Sequence, residues 1–434
     1  MQTSGLFTDL YELTMAESYL KEGREKEIAT FDLFIRRLPE KRNYLVFAGL
    51  LAIIEYLQNL HFKRADLNYL ASLNCFSDQS LDYLKDFKFS GDVDALKEGE
   101  IFFAGEPILR ITAPLIEAQI IETALINIIQ AYSLIASKAS RVIQAAKNKM
   151  VVDFGARRSQ GIDASLAAAY SAYLVGAVGT SNVLAGEQFG IPVFGTMAHS
   201  FIQSFDQEEE AFNSYIKAFP NNTTLLIDTY DTIEGAKKVV KVAKKLQNRI
   251  NAVRIDSGNI GSLSKAVRRI LDKGGLQETK ILISGDLDEY KIAKLENQNL
   301  PIDGYGVGTR MDVSSDAPFL DTVYKLSQIE SKGKISHKMK LSPAKQNLPG
   351  RKQVVRIFDK GLAKKDIISL EEEKQVGEPL LNNIMKKGQS IYQKQSWEDL
   401  RDNFRNRLRQ FSSFVNYPVE ISPKLSILLK KLAA

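Results

Sequence analysis

Between residues 150 and 307 the chain alternates short β-rich runs with helical stretches, and this rhythm limits the folds open to it. The β-rich runs are 150–154, 176–180, 191–196, 224–228, 252–256, 280–284 and 302–307. Helical patterns fill most of the gaps, at 162–174, 232–246, 262–271 and 289–297. A strand, a crossover helix and another strand run parallel, so repetition of the unit builds a parallel sheet. About seven such units over roughly 160 residues suggest an α/β barrel more than an open sheet. In a barrel, chemistry gathers in the loops at the carboxyl ends of the strands.

The flanks have a different texture. Upstream, 8–20 reads as a helix, 30–35 as a strand and 45–60 as an apolar helix. A strand-like segment, 101–111, surrounds the Gly105-Glu106-Pro107 turn. The last region opens with Pro349-Gly350-Arg351-Lys352 and is strand-like over 353–358. It ends in polar helices near 397–411 and 424–432. These textures predict an N-terminal α/β domain at 1–125 and an α/β barrel catalytic domain at 126–345. The C-terminal segment, 346–434, is expected to pack on one of the other two.

The 434 residues are 44% hydrophobic, enough for a sizeable core. The net charge of +6 is unevenly spread: from Lys332 to Lys365 the only acid is Asp359. That stretch reads first as a solvated basic face, with a phosphate-attracting rim as the functional alternative. Nucleic acid is disfavoured, because no aromatic ladder accompanies the charge. Cys75 is the only cysteine, which excludes an intrachain disulfide and a thiolate zinc site. The first twenty residues carry Asp9, Glu12 and Glu17 and lack a basic start, unlike a signal peptide. The apolar stretch 114–137 contains Glu117 and Glu122, which favours a buried helix over a membrane span. A cytoplasmic location, away from membranes, is the expectation.

Nearly every strand end supplies Gly, Ser, Thr, Asp or Arg. Turns and helix caps want the same residues, and any single strand end is explained that way. Capping does not call for Arg157, Arg254 or His199. Two arginines can grip carboxylate or phosphate in bidentate fashion. Gly306-Val307-Gly308-Thr309 can turn N–H groups and a hydroxyl toward phosphate, helped by a following helix N-terminus. Ser284-Gly285-Asp286 is similar, and Asp256 and Asp286 could hold ribose hydroxyls or Mg²⁺. Of the three histidines, His61 and His337 read as structural. His199 closes a strand beside the Asp228 loop, which suits a nucleophile or an acid–base group.

Together these motifs resemble the nicotinate phosphoribosyltransferase family. The resemblance starts at Leu6-Phe7-Thr8-Asp9-Leu10-Tyr11 and Phe31-Asp32-Leu33-Phe34-Ile35-Arg36. It continues through 153–160, 179–182, 195–199, 254–258 and 306–309. It ends with Asp316-Ala317-Pro318, Val323-Tyr324-Lys325-Leu326 and Pro349-Gly350-Arg351-Lys352-Gln353-Val354. It implies a type II phosphoribosyltransferase: an irregular α/β barrel with an N-terminal α/β domain, working as a homodimer with shared sites. The implied reaction joins nicotinate to 5-phosphoribosyl 1-pyrophosphate, with Mg²⁺ as cofactor and ATP as co-substrate acting through a phosphohistidine.

The resemblance also implies roles. His199 takes the phosphate and Asp228 orients it. Phe154 stacks on the pyridine ring, and Tyr11 covers its other face from the partner chain. Thr196 and Ser181 contact nicotinate. Arg157 and Arg254 hold the base and the phosphoribosyl donor. Asp256 takes the ribose hydroxyls. Ser284, Gly285, Gly306, Gly308 and Thr309 hold the phosphoribosyl group, with Arg36 reaching in from the partner. Asp286 is the candidate Mg²⁺ ligand. Nicotinamide-using relatives carry an acid where this chain has Ser181, so the hydroxyl favours a carboxylate substrate. Asn259 departs from the family's usual Asp. The rival readings are a nicotinamide or quinolinate enzyme and a non-catalytic nucleotide-binding relative. An aldolase-like barrel would need a lysine within a strand-end motif, and none is present.

Overall fold

The computed structural model describes residues 4–342 and 345–433. They form two compact units, one from 1–137 with 317–434 and one from 138–316.

The first unit is built on a seven-stranded antiparallel sheet. Ile28–Ile35 lies inside it, flanked by Thr322–Ser331 on one side and Pro107–Pro114 on the other. Both neighbours cover its ladder, which suits its run of apolar residues. Phe31 stacks on Tyr324 across the first of these pairs, with centroids 4.6 Å apart. The sheet continues through Asp92–Ala95 to Asn382–Lys386, so residues from the C-terminal region pair with N-terminal strands. A four-stranded sheet around Lys352–Asp359 and Leu362–Leu370 lies in the same unit. Its core holds the fully buried Arg356, 2.6 Å from both Asp366 and Glu100. Paired and hydrogen-bonded, that charge is tolerable inside; alone it would not be.

The second unit holds the predicted parallel sheet. Its six strands lie in the order Gly179–Thr180, Met150–Asp153, Gly304–Val307, Lys280–Ile283, Ala252–Ile255 and Thr224–Leu226. The sheet curls into a half-barrel, the irregular α/β barrel expected. The predicted run 191–196 enters as a single bridge, Thr180 to Val193. Pro192 lacks an N–H and cannot complete a ladder there. The predicted run 176–180 shortens to two residues, Gly179–Thr180.

The crossover helices follow their sequence patterns closely. Ile162–Leu174 and Thr232–Leu246 match the predicted bounds. In the latter, Ala236, Val239, Val242 and Ala243 are buried while Lys237, Lys241 and Lys244 face out. Four helices begin on an Asx cap. Asn182, Asp231, Asn259 and Asp288 each accept from the N–H three residues on. The apolar stretch 114–137 forms Leu115–Ile120 and part of Glu122–Ala145. No helix among the described residues is long and apolar enough to cross a membrane.

Candidate active site

The carboxyl ends of the parallel strands enclose a cavity of about 440 Å³. Phe154, Arg157, Ser181, Thr196, His199 and Arg254 all line it, together with Asp256. These residues come from three strand ends and from the segment after the Val193 bridge, and meet only because the sheet curls.

Arg254, in Ala252–Ile255, reaches across and donates from Nη2 to the carbonyl of Met197 at 2.9 Å. This contact pins the loop that carries Thr196 and His199. Burial lowers the Arg254 pKa; Asp256 and Asp228 oppose that, and Arg157 adds to it. The guanidinium stays charged, as arginine does in proteins. Its Nε is buried without a hydrogen-bond partner among the described residues. A buried guanidinium N–H beside a second, exposed arginine is what an anionic ligand would complete.

His199 opens the helix His199–Gln203. Its Nδ1 lies 3.1 Å from the Thr229 hydroxyl. The side chain in contact with Nδ1 is thus that of Thr229, the sequence neighbour of Asp228. Asp228 Oδ2 instead accepts the Asp256 N–H at 2.9 Å and the Ser257 hydroxyl at 2.7 Å. Its Oδ1 is buried and has no hydrogen-bond partner among the described residues. Asp228 thus ties the Asp256 loop to the end of the next strand.

A second cavity, of about 450 Å³, shares Asp256 with the first. Ser284 and Gly285 line it, and the Ser284 hydroxyl donates to Asp256 Oδ1. Gly285 has φ +95°, and a Cβ there would meet the Asp256 carbonyl at 2.0 Å, so only glycine fits. Gly306 and Gly308 line neither cavity. A Cβ on Gly306 would strike the Phe154 ring at 2.5 Å. The helix that follows, Thr309–Asp312, has only four residues, so the expected dipole contribution is slight.

The metal role expected of Asp286 does not suit its surroundings. Its carboxylate is 2.7 Å from both Lys291 Nζ and Arg310 Nε, and these hydrogen bonds hold its pKa far below the ordinary range. Cations on both oxygens repel a divalent ion. Asn259 caps the helix Ile260–Lys273 by accepting the Ser262 N–H. Asp would do the same, which gives the departure from the family pattern a structural meaning. Tyr11 and Arg36 belong to the first unit. Tyr11 is 46% exposed, and Arg36 lies 3.7 Å from Asp321, its Nε without a hydrogen-bond partner among the described residues. Sequence reasoning missed Thr229, and it gave no role to Asp153 or Asp312.

The half-barrel with an arginine-lined cavity at its strand ends places the chain among α/β proteins whose site lies at the carboxyl ends of a parallel sheet. Comparison with known proteins narrows it. The N-terminal domain model of nicotinate phosphoribosyltransferase matches residues 6–130, and the family model matches 150–378. A Mycobacterium tuberculosis nicotinate phosphoribosyltransferase is 47% identical over 390 residues, 89% of this chain and 83% of that one. The Bacillus subtilis nicotinate phosphoribosyltransferase is 42% identical over 85% of this chain and 76% of its own. The crystal structure of the human nicotinic acid phosphoribosyltransferase superposes with a TM-score of 0.87 at 27% identity, covering 98% of this chain and 99% of that one. The chain belongs to the nicotinate phosphoribosyltransferase family.

Proposed function

We propose that this protein joins nicotinate to 5-phosphoribosyl 1-pyrophosphate, releasing nicotinate mononucleotide and pyrophosphate. One observation carries the reading: a single cavity gathers an aromatic face, two guanidinium groups, the hydroxyls of Ser181 and Thr196, and His199. Phe154 offers its ring to the flat pyridine. Arg157 and Arg254 meet its carboxylate and the donor's phosphates. Ser181 and Thr196 hydroxyls complete the base site, and neither repels a carboxylate. Asp256, lining both cavities, holds the ribose hydroxyls where the two substrates meet.

As pyrophosphate departs, C1 of the ribose gains positive character and the pyridine nitrogen bonds to it. The protein's share is to hold both reactants in line and to neutralise the leaving charge. Magnesium, when bound with the diphosphate, screens that charge. Asp256 offers the oxygen donor a hard cation takes, whereas Asp286 does not fit. ATP hydrolysis is coupled through phosphate on His199, whose new charge pairs with nearby cations and tightens the site. Tyr11 and Arg36 act from a second copy of the chain in a homodimer. The protein works in the cytoplasm, in NAD salvage.

The test is His199→Ala, assayed for product with and without ATP. The proposal expects ATP stimulation and protein-bound phosphate to vanish while basal transfer survives. Undiminished ATP stimulation in that variant would remove the phosphohistidine from the account.

A further inference from the structure

Two carboxyl groups meet at the base of the strand-end loops, and neither has a salt-bridge partner among the described residues. Asp153 ends Met150–Asp153, and Asp312 ends Thr309–Asp312. Both are buried, at 0% and 1% exposure. Asp153 accepts the Gly155 N–H at 2.8 Å and the Thr180 hydroxyl at 2.6 Å. Asp312 Oδ2 accepts the Ser159 hydroxyl at 3.2 Å, and its Oδ1 is buried without a hydrogen-bond partner among the described residues. The two carboxyl groups flank Gly155 and lie close enough for each to act on the other's ionisation. Carboxylate oxygens only accept, so two such groups share a buried site favourably when one of them carries a proton. Asp153 already has two short donors, which favour its charged form; Asp312 has one long one. The proton therefore belongs to Asp312. Burial, then the Asp153 charge, pushes the Asp312 carboxyl well above the usual range. Gly155 makes room for the arrangement, since a Cβ there would lie 2.1 Å from the Asp312 carboxyl carbon.

We propose that Asp312 is a positioning residue for the base pocket: held neutral, it donates to Asp153, and the pair fixes the loops bearing Phe154, Arg157 and Ser181. The connections are direct. Asp153 precedes Phe154, Thr180 precedes Ser181, and Ser159 closes the Arg157 turn. This rests on the reading above that these three residues hold nicotinate. Loss of the shared proton at alkaline pH leaves two carboxylates in one buried site, and the loops separate.

The experiment compares wild type with Asp312→Asn, whose amide still donates, and Asp312→Leu, which fills the space without a donor. The pH profile of kcat/KM for nicotinate is recorded from about pH 6 to 10, with thermal melting at each pH. Asp312→Leu should raise the KM for nicotinate on the order of tenfold, and Asp312→Asn should stay within about threefold of wild type. The alkaline fall of kcat/KM in wild type should be absent or moved in Asp312→Asn. The melting temperature of wild type should also fall relative to Asp312→Asn as pH rises, because a raised carboxyl pKa costs stability once the unfolded group ionises. Equal behaviour of Asn and Leu variants, or an unchanged alkaline limb in Asp312→Asn, overturns the proposal. If no variant makes product at any pH, the functional reading has failed. The melting comparison then decides the proton-sharing pair alone, and parallel melting curves reject it.

Discussion

The Nδ1 atom of His199 lies 3.1 Å from the Oγ1 atom of Thr229. A hydroxyl at one ring nitrogen fixes the ring's orientation and leaves Nε2 as the nitrogen open to phosphate. Thr229→Val should therefore slow ATP-coupled turnover by about tenfold, whereas Thr229→Ser should retain most of it. Steady-state ATP hydrolysis alongside nucleotide formation reads both variants. Equal rates for Val and wild type would assign the contact no role.

Ser181 lines the base cavity beside Phe154 and Arg157. An aspartate there places like charge against the substrate carboxylate. Ser181→Asp should raise the KM for nicotinate by at least about tenfold, the scale of one lost polar contact plus repulsion. Kinetics with nicotinate at fixed donor concentration check this, and an unchanged KM would dissociate Ser181 from substrate choice.

Asn259 caps Ile260–Lys273. Asn259→Asp should be nearly neutral in stability and activity, because either side chain accepts the Ser262 N–H. Asn259→Ala should cost about 1 kcal/mol of stability. Chemical denaturation measures the second, and activity assays the first. A large loss of activity in Asn259→Asp would show that the amide does more than cap.

Glu12 is fully buried in the first unit, and burial raises its pKa from 4.5 to about 7, against the hydrogen bonds from Thr123 and Thr8. The folded value exceeds the unfolded one. Its contribution is thus complete below about pH 4.5 and is lost as pH rises toward 7. Melting temperatures of wild type and Glu12→Gln, measured across this window, should converge at the acid end. Wild type should fall behind as pH rises. A constant difference would contradict the raised value.

The parallel sheet was legible because helical stretches alternate with apolar strand runs. Thr232–Leu246 appears where its 3.6-residue pattern puts it, whereas Ile162–Leu174, buried on most of its faces, shows as a continuous alanine-rich apolar run. The strand run at 191–196 was misleading: its residues have the right composition, but Pro192 restricts it to one bridge. At the strand ends, caps and site residues draw on one alphabet. Asn182, Asp231, Asn259 and Asp288 prove to be caps, while Asp153, Asp228 and Asp256 hold loops to one another. Only the three-dimensional partners separate these groups. Arg157, Arg254 and His199 stood out because no cap or turn asks for a cation. Thr229 and Asp312 gave no such signal, since their roles depend on which strand ends the curled sheet brings together.

The most direct measurement supplies the purified protein with 5-phosphoribosyl 1-pyrophosphate and Mg²⁺, and offers nicotinate, nicotinamide or quinolinate in turn, with and without ATP. The account predicts nicotinate mononucleotide from nicotinate, formed faster with ATP, and no comparable product from nicotinamide or quinolinate. Product from nicotinamide or quinolinate alone would contradict it.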